Sequence, residues 1–77
     1  MKDLRKMIEA LNKQISWEQE ELVKELARVA EKANEDRETS YYLADVERAV
    51  NGAKETQARI RELEIKRDLL RYALEEF

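Results

Sequence analysis

The residues of this chain that could do chemistry are its carboxylates. They cluster as Glu18, Glu20 and Glu21 in the first half and as Glu62, Glu64 and Asp68 in the second. Helical bundles that bind two iron ions combine such acids with inward Glu-x-x-His pairs, and this sequence contains no histidine. It contains no cysteine either, which excludes disulfides, thiol chemistry and cysteine-based zinc sites. We therefore expect no metal and no other cofactor.

The remaining patterns of catalysis and phosphate binding are also missing. The two serines, Ser16 and Ser40, do not lie in a glycine-rich nucleophile elbow. A single glycine, Gly52, cannot build a P-loop or a dinucleotide-binding fingerprint. Because no nucleophile has a histidine base available, we predict that the protein is not an enzyme.

Basic side chains near the C-terminal end could form a stripe for nucleic acid. They are Arg59, Arg61, Lys66, Arg67 and Arg71. Acids stand between them at helical-neighbour spacing, which is typical of surface ion pairs. The net charge of −3 arises in segment 34–52. No helical face consists of basic residues only. We therefore do not expect a nucleic-acid partner, and keep a small dimeric helical nucleic-acid-binding protein as the alternative function.

The composition indicates long helices. Charged residues make up 43% of the chain and proline is absent, a balance typical of coiled coils and long helices. No stretch approaches the roughly 18–20 apolar residues of a membrane span. Charges are scattered through the apolar residues of the first segment, unlike a signal peptide. We expect a cytoplasmic protein with no membrane contact.

The first helix is predicted over residues 3–33. One narrow sector of that helix holds Leu4, Ile8, Leu11, Ile15, Leu22, Leu26, Val29 and Ala33. The mean spacing is close to the period of a straight α-helix, so this sector is the expected core face. Glu18 is the one acid in the sector, in the gap between Ile15 and Leu22.

A polar loop, 34–40, is predicted next, with Asn34 as a helix stop and Thr39 or Ser40 as an N-cap. The second helix is predicted over 41–77. Its heptad contact positions are Val46, Ala49, Ala53, Thr56, Ile60, Leu63, Arg67, Leu70, Leu74 and Phe77. A turn centred near residue 37 would place Glu18 beside Thr56 and Arg67 near Met7. We expect Arg67 to lie exposed at the edge of the contact, unpaired with Glu18.

The pair Asn51–Gly52 is the doubtful point of the second helix. Mid-helix glycine costs about 1 kcal/mol relative to alanine, and Asn-Gly is a common turn. We favour a continuous helix because the heptad phase is the same on both sides of the pair. The alternative is a break at Asn51–Gly52 that gives three helices.

Residues 1–77 thus form one all-α domain, an antiparallel, coiled-coil-like two-helix hairpin. A domain below roughly 70–80 residues usually needs a disulfide, a metal or a partner chain. Apolar residues remain outside the expected contact: Trp17, Ile65, Leu69 and Tyr72. We predict that these four residues and Phe77, the last contact position, form an interface, and that the hairpin dimerises into a four-helix bundle. Alternatively, residues 41–50 fold back and cover Ile65, Leu69 and Tyr72 within the chain.

These features favour a small protein–protein interaction module. It would self-associate and dock a larger protein through its outer apolar residues, as an adaptor, a co-chaperone or a phage- or plasmid-type inhibitor does. The identity of the larger protein is not encoded in any motif of the sequence.

Overall fold

The computed structural model describes the backbone of residues 2–34 and 39–77, and the side chains of residues 3–34 and 43–77. Helix α1 spans Lys2–Ala33 and helix α2 spans Thr39–Glu76. They pack side by side as an antiparallel hairpin that measures 59 × 14 × 12 Å. The predicted all-α hairpin is confirmed.

The ends of the helices near the turn differ slightly from the predicted ones. The backbone N–H of Asn34 donates to the carbonyls of Ala30 and Glu31, at 3.1 and 3.2 Å, and ends α1. Thr39 and Ser40 already belong to α2, which therefore begins two residues before the predicted start. The rest of the predicted loop, residues 35–38, lies outside the described residues.

Helix α2 continues through Asn51 and Gly52 without interruption. The alternative of a break that gives three helices is therefore wrong. Residues 41–50 belong to the same long helix and do not fold back over its distal half. Ile65, Leu69 and Tyr72 are accordingly exposed.

The line of contact between the helices, here called the seam, follows a heptad on both helices. On α1 it consists of Leu4, Ile8, Leu11, Ile15, Glu18, Leu22, Glu25, Val29 and Lys32, all buried or half-buried. On α2 it runs from Val46 to Leu74 in the predicted heptad register, again buried or half-buried throughout. Phe77, the last predicted seam position, is 87% exposed, so that assignment is wrong for the single hairpin.

Side-chain hydrogen bonds across the seam set its register. Glu18 pairs with Arg59, and Arg67 contacts Asn12. Aligning the two heptads on these contacts places Leu4 level with Leu74 and Val29 level with Ala49. The turn-based position of Arg67 was wrong by about one helical turn, since Arg67 contacts Asn12 and falls level with Leu11.

Arg67 is also less exposed than predicted. Its side chain is 20% exposed. Its guanidinium donates from Nε to Asp68 Oδ1 at 3.1 Å and from Nη1 to Asn12 Oδ1 at 3.5 Å. The aliphatic part of the arginine can therefore lie in the seam while its charged end reaches polar oxygens at the edge.

The α1 core face was only partly predicted. Leu26 is 51% exposed and Ala33 is exposed, whereas Glu25, which was not predicted, occupies the seam. The cause is geometric, because a straight helix drifts by about 20° per heptad relative to a strict seven-residue repeat. The apolar side of α1 therefore leaves the seam as the helix approaches the turn.

Candidate interaction site

The middle of the hairpin contains a buried polar layer. Glu18 is 6% exposed and Thr56 only 1%. Arg59 donates from Nε to Glu18 Oε2 at 3.2 Å and from Nη2 to Thr56 Oγ1 at 3.0 Å. The Thr56 hydroxyl in turn donates to Glu25 Oε1 at 2.6 Å. Among the described residues, no buried side-chain nitrogen or oxygen lacks a hydrogen-bond partner.

This layer is suited to structural specificity. The Thr56 hydroxyl is enclosed by its two partners, and the Glu18 carboxylate is held by an arginine from the opposite helix. Across the described side chains, no three potential metal ligands are grouped to hold an ion. A buried polar network can select one register of two helices, because sliding either helix separates its members.

An apolar groove lies near the end of the hairpin where α1 begins and α2 ends. It encloses about 480 Å³ and is lined by Met7, Ala10, Leu11, Lys66, Leu69 and Leu70. We call it the terminal groove. Of the described residues that line it, Lys66 alone is charged, so the groove offers almost entirely apolar surface to a partner.

A second apolar groove lies nearer the turn, on the opposite face of the hairpin. It encloses about 240 Å³ and is lined by Leu22, Leu26, Val29, Val50, Ala53, Lys54 and Gln57. We call it the turn groove. In heptad terms Met7 and Lys66 occupy position g, whereas Leu26 and Val50 occupy position e. These positions flank the seam on opposite sides, so the two grooves face away from each other.

The structure brings some of the predicted interface residues together and separates others. Leu69 is 64% exposed and lines the terminal groove. Trp17, 58% exposed, lines a separate shallow groove with Asn12, Lys13, Ser16 and Glu20. Ile65 and Tyr72 are exposed on the outer side of α2, and Phe77 lies at its end. Leu69 therefore lines the terminal groove and has Ile65 and Tyr72 beside it on α2, while Trp17 lies in a different groove.

Sequence reasoning missed the α1 half of the terminal groove. Met7 is 52% exposed and, with Ala10, forms the wall opposite Leu69. The available signal was the heptad phase, because Met7 and Ala10 occupy positions g and c when the seam of α1 is read with a period of seven. That phase was obscured by the straight-helix spacing of the leucines and isoleucines.

The same face becomes charged toward the turn. A shallow groove there is lined by Glu21, Lys24, Glu25, Arg28, Arg48, Ala49 and Gly52. Glu21 and Arg28 repeat the heptad position of Met7, which puts this charged groove in line with the terminal groove. Lys24 and Glu21 form an exposed ion pair at 3.5 Å. One face therefore changes from apolar to charged along its length.

Neither helix, over the part of the chain that the structure describes, has an apolar stretch of the length needed to cross a membrane. The chain matches no protein-family model, and comparison with curated proteins and with solved structures gives no significant match.

Proposed function

We propose that this protein is a small, non-enzymatic protein–protein interaction module that self-associates and docks a larger protein through its exposed apolar residues. The observation that carries the proposal is the terminal groove, with Leu69 and Met7 more than half exposed. Contiguous exposed apolar surface of this kind is typical of protein-binding sites.

The small apolar core supports the same proposal. Among the described residues, the buried apolar side chains are Ile8, Ile15, Ala53 and Ile60. Domains of this size seldom reach adequate stability from such a core alone, and a partner chain supplies what disulfides or metals supply elsewhere. The exposed aromatic residues Trp17 and Tyr72 are of the types enriched among binding hot spots.

The charged residues also favour a protein partner over a nucleic acid. The basic residues of the charged groove, Lys24, Arg28 and Arg48, share it with Glu21 and Glu25. Phosphate backbones favour surfaces where basic residues cluster without such acids.

The first test is the mass of the protein in solution. Sedimentation equilibrium over a wide concentration range is expected to give a mass above that of the 9.2 kDa chain. The double variant Leu69→Lys/Tyr72→Glu should weaken self-association and the retention of a larger protein by the tagged chain. A matched control is Val23→Lys/Leu43→Glu, which changes similarly exposed residues elsewhere.

A chain that stays monomeric at every concentration, and retains the same proteins with and without the Leu69/Tyr72 substitutions, contradicts the proposed function. Binding to DNA or RNA with a steep salt dependence would instead support the nucleic-acid alternative.

A further inference from the structure

We infer that two copies of this chain join through the face that carries the terminal groove, with the two-fold axis parallel to the long axis of the hairpin. Both turns then lie at the same end of a four-helix bundle. This inference rests on the proposed self-association and adds to it the partner, the face and the orientation. We call this the groove face; it comprises the c and g heptad positions of both helices.

The distribution of apolar residues along the groove face excludes the other full-length arrangement. At the terminal end the face carries Met7, Ala10 and Leu69, and toward the turn it carries Lys24 and Arg28. An axis parallel to the hairpin places each level against the same level, so apolar surface meets apolar surface. An axis perpendicular to the hairpin through its centre would press Met7 against the charged half, where Met7 removes water from the charges and offers them no polar partner in exchange.

The charges at the other end of the face are complementary in the parallel arrangement. There α1 of one copy faces α2 of the other, and the hairpin register gives the levels. Lys24 falls within one residue of the level of Glu55 of the second copy, and Glu31 within one residue of the level of Arg48 of the second copy. All of these side chains are exposed in the single hairpin. Such exposed pairs contribute less than about 1 kcal/mol each, so they select the orientation and leave affinity to the apolar end.

The parallel arrangement also gives space to Arg28. In the hairpin register Arg28 falls level with Val50 of the second copy, between Arg48 and Gly52, and the absent side chain of Gly52 leaves room on one side.

Spin labels test the orientation directly, because the chain has no cysteine of its own. Single cysteines replace Lys6, Glu20 or Ala27, which are exposed and share heptad position f on the outer side of α1. Pulsed electron–electron double resonance is expected to give the same interspin distance at all three positions. Since neighbouring helices pack about 10 Å apart, that distance should be about 20–40 Å.

Any two-fold axis perpendicular to the hairpin makes the interspin distance depend on position. The axial separation then changes by about 3 Å for each residue between the label and the axis, twice the helical rise. Three labels spread from residue 6 to residue 27 cannot agree in that case. A dimer with unequal distances therefore overturns this arrangement and leaves the proposed function intact.

Two charge substitutions test which face is used. Leu69 and Val23 are 64% and 67% exposed and lie on opposite faces, so both variants should keep the hairpin fold. We expect Leu69→Glu to raise the dimer dissociation constant about 100-fold or more, as loss of a buried apolar anchor does, and Val23→Glu to change it little. Circular dichroism checks that each variant remains helical.

The reverse result, dissociation by Val23→Glu and not by Leu69→Glu, would place the interface on the face of the turn groove and overturn the inference. A monomer at all concentrations overturns the inference as well. The proposed function also fails in that case unless the chain still retains a larger protein through Leu69 and Tyr72.

Discussion

From the chain termini to Ile15 the seam is mostly leucine and isoleucine, with Arg67 as an exception, whereas from Glu18 to the turn small and polar residues alternate with larger apolar ones. The first half pairs Leu4 and Ile8 with the leucines of the end of α2. The second half contains Ala49, Ala53 and the network of Thr56 with Glu18, Glu25 and Arg59. The two halves are thus built from different interactions on the same pair of helices.

The difference indicates a division of roles within the seam. Apolar burial provides stability but is tolerant of sliding by one heptad, because leucine and isoleucine recur at equivalent positions. The polar half provides less apolar burial, yet its hydrogen bonds form in one register only. We therefore expect the terminal half to determine the free energy of unfolding and the polar half to determine the alignment of the helices.

The largest effect should come from truncating the terminal half. Ile15 is 4% exposed, and Ile15→Ala should lower the free energy of unfolding by about 2–5 kcal/mol, enough to unfold much of a hairpin this small. Val29→Ala, in the polar half, removes two half-buried methyl groups and should cost about 1 kcal/mol. Urea unfolding followed by circular dichroism at one fixed protein concentration measures both. Equal costs would show that the two halves contribute alike.

Replacing a buried polar residue of the polar half by an apolar one should make that half resemble the terminal half and should stabilise the hairpin. Glu18 is buried and its partner Arg59 is half exposed, with side-chain exposures of 7% and 53%. Replacing a buried ion pair by a hydrophobic residue is often stabilising, by about 1–4 kcal/mol. We expect Glu18→Leu to raise the free energy of unfolding, because it joins Ile15 and Leu22 into one apolar run while Arg59 turns to solvent.

The matched variant Glu18→Gln keeps the shape of the side chain and removes its charge. It should be less stable than the parent chain, because the hydrogen bond from Arg59 loses its charge assistance. A Glu18→Leu protein less stable than Glu18→Gln would mean that the polar half contributes stability and not only register.

The α2 seam was predictable from the sequence because its spacing is a true heptad. Positions from Val46 to Leu74 all lie in the contact, and the shared phase on both sides of Gly52 correctly indicated one helix. The position of Phe77 was not predictable in this way. The heptad pattern of α2 continues to its last residue, whereas the contact between the helices ends where α1 ends.

The α1 seam was harder to predict because its apolar residues follow the straight-helix period. Leu26 fits that period but lies off the seam, and Glu25 lies on it. The sequence of α1 alone cannot show that α2 imposes a period of seven. The same limit applies to the candidate site, since the terminal groove combines Met7 with Leu69 and depends on the register between the helices. That register is fixed by side-chain pairs that no single-helix pattern contains.

The smallest effect concerns Gly52, which lies in the interior of α2 and next to Glu25 of the polar half. Alanine in a helix is favoured over glycine by about 1 kcal/mol. A Cβ at residue 52 would lie 3.3 Å from Glu25 Oε2, a tight contact with the movable end of a side chain. Because Glu25 can shift by a few tenths of an ångström, we expect Gly52→Ala to stabilise the hairpin by roughly 0.5 kcal/mol.

The control is Asn51→Ala, which improves helix propensity at an exposed neighbour without touching Glu25. Combining each substitution with Thr56→Val removes the hydroxyl that holds the Glu25 carboxylate at 2.6 Å. In that background Gly52→Ala should raise the free energy of unfolding by more than it does in the parent chain. Asn51→Ala should raise it by the same amount in both. If Gly52→Ala raises the free energy of unfolding equally in the two backgrounds, the polar half does not restrain Glu25. That result would remove the reason for proposing that the Thr56–Glu25 hydrogen bond helps to align the two helices.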